Sequence, residues 1–290
     1  MSYLKKQRRS SLILLAAVFV AILFSTCIKF HYNDECRNVY TEEISITGEI
    51  TGVIIEGPWQ VTITQDSICN DAVIEYCDSK YHKVSAKLLP NGYLHIRVSF
   101  SGNVYHDDVF RATIQAASLE KIEASGAASI RTYGHFCSLE NISLSGASTI
   151  NGLLCDGFSA KIKLSGASTL KGFSFDGNSM NADISGASKA NLDNINVEYC
   201  TVDCSGASTF RSSGYAGECS FTGSGASDFK TLNLGSKNLN IQLSGASDAE
   251  VTVNNTIKGS LSGASKLKYK NAANVSGVSV TGASKMVKIN

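Results

Sequence analysis

The chain has 290 residues and a net charge of +1 at neutral pH, and 18% of its residues are charged. This length supports one large or two modest domains. The near-neutral balance excludes a broad basic field for nucleic acid and a broad acidic field for cations. Glycine occurs 25 times and proline only twice. The composition is typical of tall β-structure with small outer side chains rather than of a helical bundle.

The N-terminal segment has the features of an export signal. A cluster of lysines and arginines precedes residues 11–24, an apolar stretch shorter than the roughly 20 residues that a membrane-spanning helix needs. The sequence FSTC that follows is similar to a bacterial lipobox. It predicts that Cys27 is acylated and that the protein is exported as a lipoprotein, in the periplasm or on the outer-membrane surface. The alternative is an uncleaved signal anchor over residues 10–28.

The other cysteines do not have metal-site spacing. An exported protein enters a compartment that permits disulfides, but no paired CxxC occurs. The closest approach, Cys200 and Cys204, fits the alternation of a strand. We therefore predict no metal ligands, no cofactor-binding residues and no cofactor. The eight cysteines after Cys27 are Cys36, Cys69, Cys77, Cys137, Cys155, Cys200, Cys204 and Cys219.

A four-residue motif, SGAS with minor variants, recurs nine times at intervals of 18 to 20 residues. Self-similarity at a fixed period is the signature of a repeat architecture. The copies begin at Ser125, Ser145, Ser165, Ser185, Ser205, Ser224, Ser244, Ser262 and Thr281.

The residues around the motif alternate as in a strand with one buried face. Positions one and three before the motif are mostly apolar, and the position between them is mostly polar. Apolar residues return five positions after the motif begins, from Ile130 to Met286. A strand, a corner and a second strand in every period describe one turn of a solenoid. Glycine supplies a corner conformation that other residues resist, and we expect the following alanine to occupy a crowded position.

We predict an all-β, right-handed, single-stranded parallel β-helix of the pectin-lyase type, with about 20 residues and three short strands per turn. The varying period and the absence of GGxGxD runs and of helix-forming arcs disfavour the other solenoids. In this register the serine hydroxyls can form ladders. Cys200 and Cys219 become neighbours on adjacent turns, where a disulfide is feasible.

The N-terminal third lacks the motif but is rich in strand patterns. Residues 50–65 and 93–100 alternate, with turn signals at Gly57-Pro58 and Asn91-Gly92. A solenoid end exposes strand edges and needs a cap. We divide the chain into a signal peptide (1–27), a polar tether (28–43), β-rich opening turns with a cap (44–120) and the repeat β-helix (121–290). A separate small β-domain at 44–120 is the alternative.

Three stretches of this sequence resemble a known family. They are ITGVIIEGPWQVTITQ, ATIQAASLEKIEASGAAS and the recurring LSGAS. Through them the chain, over roughly residues 44–290, is similar to the auto-transporter adhesin domain called head GIN, common in lipoproteins of Gram-negative bacteria. The resemblance implies a pectin-lyase-like β-helix without catalytic residues and an adhesive role.

Two charged groups could carry chemistry. In the predicted register, Asp228 and Asp248 stack with Lys266 beside them, which suggests a weak cation site, an acid pair or a solvated face with charge compensation. The run His106-Asp107-Asp108 with Arg111 reads as a polar loop. Neither arrangement predicts catalytic residues. Aromatic residues in the arcs between motifs could stack on sugars or belong to the core; they are Tyr133, Phe173, Phe175, Tyr199 and Tyr215.

These features favour a non-catalytic binding or adhesion protein of the cell envelope. Its partners would be a glycan or a host or envelope protein, with the membrane held through the lipid anchor and no nucleic acid. A polysaccharide lyase or hydrolase is an alternative that rests on the fold alone. A purely structural envelope protein is the third hypothesis, and the sequence does not separate it from the first.

Overall fold

The computed structural model describes residues 38–77, 79, 82–101, 109–271 and 274–290. These residues form 21 strands of one coiled sheet and no helix. The fold is a β-solenoid of about eight turns with roughly 20 residues per turn, which confirms the predicted all-β repeat architecture. The right-handed, pectin-lyase-like form stays a prediction. None of the described residues belongs to a helix that is long and apolar enough to cross a membrane.

The body of the solenoid begins where the motif begins. Its strands stack in parallel with each motif copy at the same corner, so that Ile142 lies between Ile122 and Ile162 on neighbouring turns. The strands of the body are β8 (Lys121–Ser125), β9 (Ser129–Tyr133), β10 (His135–Phe136), β11 (Asn141–Leu144), β12 (Thr149–Asn151), β13 (Leu154–Leu164), β14 (Thr169–Ile184), β15 (Lys189–Cys204), β16 (Thr209–Gly223), β17 (Asp228–Leu243), β18 (Asp248–Leu261), β19 (Lys266–Asn271), β20 (Asn274–Val280) and β21 (Lys285–Lys288).

The middle turns are each one long bent strand rather than three short ones. β14 extends from one motif corner to the next, and its pairing with β15 shifts between Lys171 and Ser174. Such irregularities bend a strand while the ladder on either side continues.

The N-terminal third caps the solenoid, but its order in space differs from its order in the chain. β2 and β3 pair in parallel with β8 and β9 on one side and with β6 and β7 on the other. β1, β4 and β5 are antiparallel additions at the end of the stack. The strands are β1 (Val39–Glu43), β2 (Gly52–Glu56), β3 (Gln60–Gln65), β4 (Asp71–Cys77), β5 (His82–Leu88), β6 (Tyr93–Phe100) and β7 (Phe110–Ala116).

The glycine of each motif has a positive φ, between 68° and 82° over the nine copies. A side chain on Gly146 would also overlap the carbonyl oxygen of Gly126 on the turn before, and the next turns repeat this contact. Gly57 lies against Gly126 in the same way, so the GPW sequence forms an opening corner. Glycine is therefore required at these corners both by its conformation and by the close stacking of backbones.

The alanine of the motif faces solvent, and the last serine faces the core. The alanine side chains are exposed, as at Ala147 and Ala187, so the expectation of a crowded alanine was wrong. The last serine points inward and is fully buried at Ser168 and Ser188, whose hydroxyls lie 3.3 Å apart. The crowded residue is the glycine that precedes the alanine, because the backbones of adjacent turns touch at this glycine. The methyl group of the alanine points to solvent.

One apolar core extends along the whole axis, from Ile44 to Tyr269. The predicted inward columns form it, with a cluster of stacked and edge-on rings at Phe210, Phe221 and Phe229. Full burial of each such aliphatic or aromatic side chain contributes about 1.5–3 kcal/mol. The exception is the last turn, where Val280 is 43% exposed.

Candidate binding surface

The strand that follows each motif presents an outward column of polar side chains. This column holds the position four residues after the motif begins, and the register places each member beside the next. Parallel strands are about 4.8 Å apart, so the column forms a straight line of side chains. Its members are Ser129, Thr149, Thr169, Lys189, Thr209, Asp228, Asp248, Lys266 and Lys285.

A second column lies beside the first, six residues after the motif begins. We call the two columns together the post-corner face. They carry eight lysines and arginines against three carboxylates, whereas the whole chain has a net charge of only +1. The face is therefore locally basic. The second column consists of Arg131, Asn151, Lys171, Asn191, Arg211, Lys230, Glu250, Lys268 and Val287.

Shallow depressions occur along this face. One of about 340 Å³ lies at the N-terminal end between Arg111, Arg131 and Asn151. Another of about 460 Å³ lies midway, between Asp193, Arg211 and Lys230. Both are open and mostly polar, which suits an extended ligand lying across the rungs better than a small molecule held in a closed apolar pocket.

The carboxylates of this face are matched by lysines. Asp228 and Asp248 are register neighbours and Lys266 follows Asp248, as the repeat predicted. The Lys230 ammonium lies 2.7 Å from the Asp228 carboxylate. The Lys268 ammonium lies 2.7 Å from Glu250, and this hydrogen bond raises the pKa of Lys268. These contacts describe a solvated face with charge compensation.

Among the other predicted residues, Arg111 lines the depression at the N-terminal end of this face, and others lie outside the described residues. Cys27 and the run His106-Asp107-Asp108 lie outside the described residues. Arg111 pairs with Glu75 at 3.5 Å. Cys77 is disulfide-bonded.

The structure places Cys200 and Cys219 side by side, as the repeat predicted, and both are buried free thiols here. A hydrogen bond with Cys219, and then burial, raise the pKa of Cys200. Whether the two form a disulfide stays a prediction. Cys204 is a buried thiol in the inward column, consistent with its place in the alternation.

The aromatic residues between the motifs divide into two groups. Phe173 and Phe175 are buried and stack on each other with ring centres 6.2 Å apart. The tyrosines are about half exposed, with values of 51% for Tyr133, 53% for Tyr199 and 44% for Tyr215. These three rings are available for contact with a ligand.

Sequence reasoning missed one cluster of potential ligands. His135, Cys137 and Asp156 bring an imidazole nitrogen, a thiol and a carboxylate oxygen within 4.8 Å of one another. The signal was present, because a His-x-Cys pair faces one side of a strand and Asp156 follows Cys137 by 19 residues, about one turn. A search for ligands along the chain does not find it, since the partners are adjacent only across turns.

The coiled sheet with aligned polar columns on an open face places this chain among the β-solenoid proteins, which present an extended surface. The chain belongs to the family described as "Putative auto-transporter adhesin, head GIN domain", whose model matches residues 49–273. This confirms the family resemblance that the sequence suggested. No curated protein matches the chain.

Solved structures share the fold at low sequence identity. A "putative adhesin" from Parabacteroides merdae ATCC 43184 is 14% identical with a TM-score of 0.62, over 88% of this chain and 98% of that one. A "Putative lipid binding protein" from Parabacteroides distasonis ATCC 8503 is 13% identical with a TM-score of 0.58, over 89% of this chain and 99% of that one. At these identities the likeness shows the fold alone.

Proposed function

We propose that this protein is a non-catalytic adhesin-type binding protein of the cell envelope, and that its post-corner face binds a linear acidic glycan. The observation that carries the proposal is the basic bias of that face, eight cations against three carboxylates, on a chain whose net charge is only +1. In this proposal the protein is exported, and acylation of Cys27 holds it to the membrane. Family membership supports the adhesive role.

The spacing of the cations supports a polymeric ligand. Arg131, Lys171 and Arg211 are exposed and occupy alternate rungs of the second column, with Asn151 and Asn191 between them. Two rungs span about 10 Å. A chain with regularly spaced carboxylate or sulfate groups can contact these cations in succession, while the amides between them hydrogen-bond to hydroxyls.

The open, polar depressions along the same face support binding without catalysis. Lyases and hydrolases of polysaccharides need acidic and basic groups that converge on one bond. Two of the three carboxylates of the post-corner face are instead paired with neighbouring lysines, Asp228 with Lys230 and Glu250 with Lys268. Carboxylates paired in this way are typical of a binding surface rather than of the acid–base site of a lyase or hydrolase.

The test is binding to immobilised polysaccharides of different charge. We expect the protein to bind heparin, alginate or polygalacturonate more tightly than neutral dextran, and the binding to weaken as salt screens the charges. The triple variant Arg131→Gln, Lys171→Gln, Arg211→Gln should lower affinity for the acidic polymer at least about tenfold, since each lost contact contributes about 0.5–1 kcal/mol at an exposed site.

The matched control removes the same charge from a different face. Lys161, Lys163 and Lys258 are exposed on the strands that precede the motif. Their triple substitution by Gln should leave affinity unchanged. Equal losses in both variants would reduce the effect to net charge, and release of unsaturated or reducing sugar ends by the wild-type protein would replace the proposal with an enzyme. Vesicles of anionic and neutral lipids, run in parallel, separate glycan from lipid binding.

A further inference from the structure

The cluster missed by the sequence lies on the outside of the arc that joins β9 to β11. In β10, Phe136 points into the core and is fully buried, so His135 and Cys137 on either side of it point outward. The next turn pairs Phe136 with Cys155, which places Asp156 beside Cys137. Two consecutive turns thus supply the three side chains, and the regular ladder holds their backbones.

The three groups are close enough to share one ion. With one ligand atom taken from each residue, the three atoms all lie within 4.8 Å of one another. The two ring nitrogens of His135 face different partners, Nε2 at 3.8 Å from the Oδ2 atom of Asp156 and Nδ1 at 4.0 Å from the Sγ atom of Cys137, and one of the two would bind the ion. In a tetrahedral site with bonds of about 2.1–2.3 Å, the ligand atoms are roughly 3.4–3.8 Å apart. Small rotations of exposed side chains close the difference.

The local charge also favours a cation. Asp156 and Asp176 are register neighbours, so two carboxylates stack on adjacent rungs, and like charges in that position repel each other. Asp176 accepts a hydrogen bond from the Nδ2 atom of Asn196 at 3.2 Å. Among the ion pairs of the described residues, His135 is the charged partner of Asp156, and it is charged only when protonated.

We propose that His135, Cys137 and Asp156 form a binding site for a divalent transition-metal ion, with Zn²⁺ as the best match. A thiolate and an imidazole select Zn²⁺ over the hard cations Mg²⁺ and Ca²⁺, and a carboxylate is its common third ligand. On binding, the Cys137 thiol gives its proton to solvent and the sulfur donates its electron pair to the metal. The fourth position stays open to water or to a group from a ligand.

The site is independent of the proposed glycan face. Its three ligands lie on the arc between the motif corners, whereas the post-corner face lies on the strands that directly follow those corners. A metal site here would add a second point of contact, and its failure would leave the glycan proposal untouched.

The test uses Co²⁺ as a spectroscopic probe of the full-length protein, purified in detergent with its thiols reduced by a phosphine. We expect one equivalent of Co²⁺ to produce a thiolate-to-cobalt charge-transfer band and the visible bands of a tetrahedral site. One equivalent of Zn²⁺ should then bleach both. Circular dichroism checks that each variant retains its strand signal.

Variants at and beside the cluster make the assignment specific. Cys137→Ser should abolish the charge-transfer band, and His135→Ala or Asp156→Asn should weaken Co²⁺ binding at least about tenfold. Cys69→Ser removes another exposed free thiol, and Asp176→Asn removes the neighbouring carboxylate. Both controls should retain the band and the affinity.

Three results would overturn the proposal. They are an absence of bands in the reduced wild-type protein, bands that persist in Cys137→Ser, and equal weakening by Asp156→Asn and Asp176→Asn. A disulfide-linked dimer through Cys137, with no bands after reduction, would assign the thiol to covalent self-association instead. Slower alkylation of Cys137 by iodoacetamide in the presence of Zn²⁺, with no change at Cys69, would support the metal site.

Discussion

At the scale of single residues, the motif glycine resists replacement for two reasons. Gly186 has a φ of 71°, and its backbone lies against that of Gly166 with no space for a side chain. Replacing this glycine therefore destabilises the fold in two ways. The left-handed conformation costs an ordinary residue about 1–2 kcal/mol, and separating the two turns adds to this.

We predict that Gly186→Ala lowers the free energy of unfolding by at least about 2 kcal/mol. Urea unfolding followed by circular dichroism measures this. The control is Ala187→Ser, next to it on the same corner, whose side chain is exposed and should change stability by less than about 0.5 kcal/mol. Equal tolerance of both variants would show that the stacked corners do not hold the turns together.

Buried thiols make the fold sensitive to alkaline pH. Burial is the main cause that raises the pKa of Cys204 to about 12, from an ordinary value of 9.0. The folded protein thus keeps this thiol neutral at pH values where the unfolded chain ionises it. The stability contribution is complete below pH 9 and is lost as the pH rises from 9 towards 12.

The prediction concerns the slope of stability against pH. Between pH 9 and 11, Cys204→Ala should remove up to about 1.4 kcal/mol per pH unit from the decline in unfolding free energy. Urea titrations at several pH values give the slope. The exposed-thiol variant Cys69→Ala should retain the full slope. If both variants match the wild-type slope, the buried thiol is not the titrating group.

At the scale of elements, each turn is specified by its neighbours. β14, β15, β16 and β17 pair with a turn on both sides, and the pairing carries residues of the same type into straight columns. The register is well determined because a one-residue slip would turn every apolar side chain outward. The pairing of Cys200 with Cys219 on adjacent turns provides a chemical test of this register.

We predict that mild oxidation links Cys200 to Cys219. They are the free cysteines of the described residues that face each other directly in the ladder. A loop of this length closed by a disulfide contributes about 3 kcal/mol in the chain-entropy description. Peptide mapping identifies the link, and urea unfolding with and without reductant measures the gain. A link from either residue to Cys69 or Cys137 would contradict the register, and Cys200→Ala should show no gain.

At the scale of the whole molecule, the two ends of the described stack differ in how many strands cover them. The N-terminal end is covered by β1, β4 and β5, which pair in antiparallel fashion with the outer strands. At the other end β21 pairs with β19 alone among the described strands. Val280 and Val287 there are 43% and 41% exposed. An uncovered edge leaves backbone amides and apolar side chains open to solvent.

Hydrogen exchange should therefore rise steeply towards the C-terminal end of this chain. We expect the amides of β20 and β21 to exchange at least about a hundredfold faster than those of β14 to β17, since they open without unfolding the stack. Mass spectrometry of peptic peptides measures this. Peptides from β6 and β7, which β5 and β4 cover at the N-terminal end, serve as the internal comparison for a capped end. Uniform protection along the solenoid would contradict this account of its ends.

The sequence by itself determined the repeat, the family and the register of the body. A period near 20 places each residue beside its counterpart one turn away, so the apolar columns, the Asp228–Asp248 stack and the Cys200–Cys219 pair all followed from counting. The physical reason is that parallel stacking at a constant period makes sequence separation equivalent to spatial contact. The basic bias of the post-corner face was not predicted, because it depends on the second column, which the structure showed to lie beside the first.

Only the tertiary structure decided what the period does not encode. The segment with β2 and β3 lies between strands that follow it in the chain, because pairing across an aperiodic region depends on loop paths and on the edges that need cover. The cluster of His135, Cys137 and Asp156 likewise needed coordinates. These arcs vary in length and bend, and side-chain direction there is set by local packing rather than by alternation.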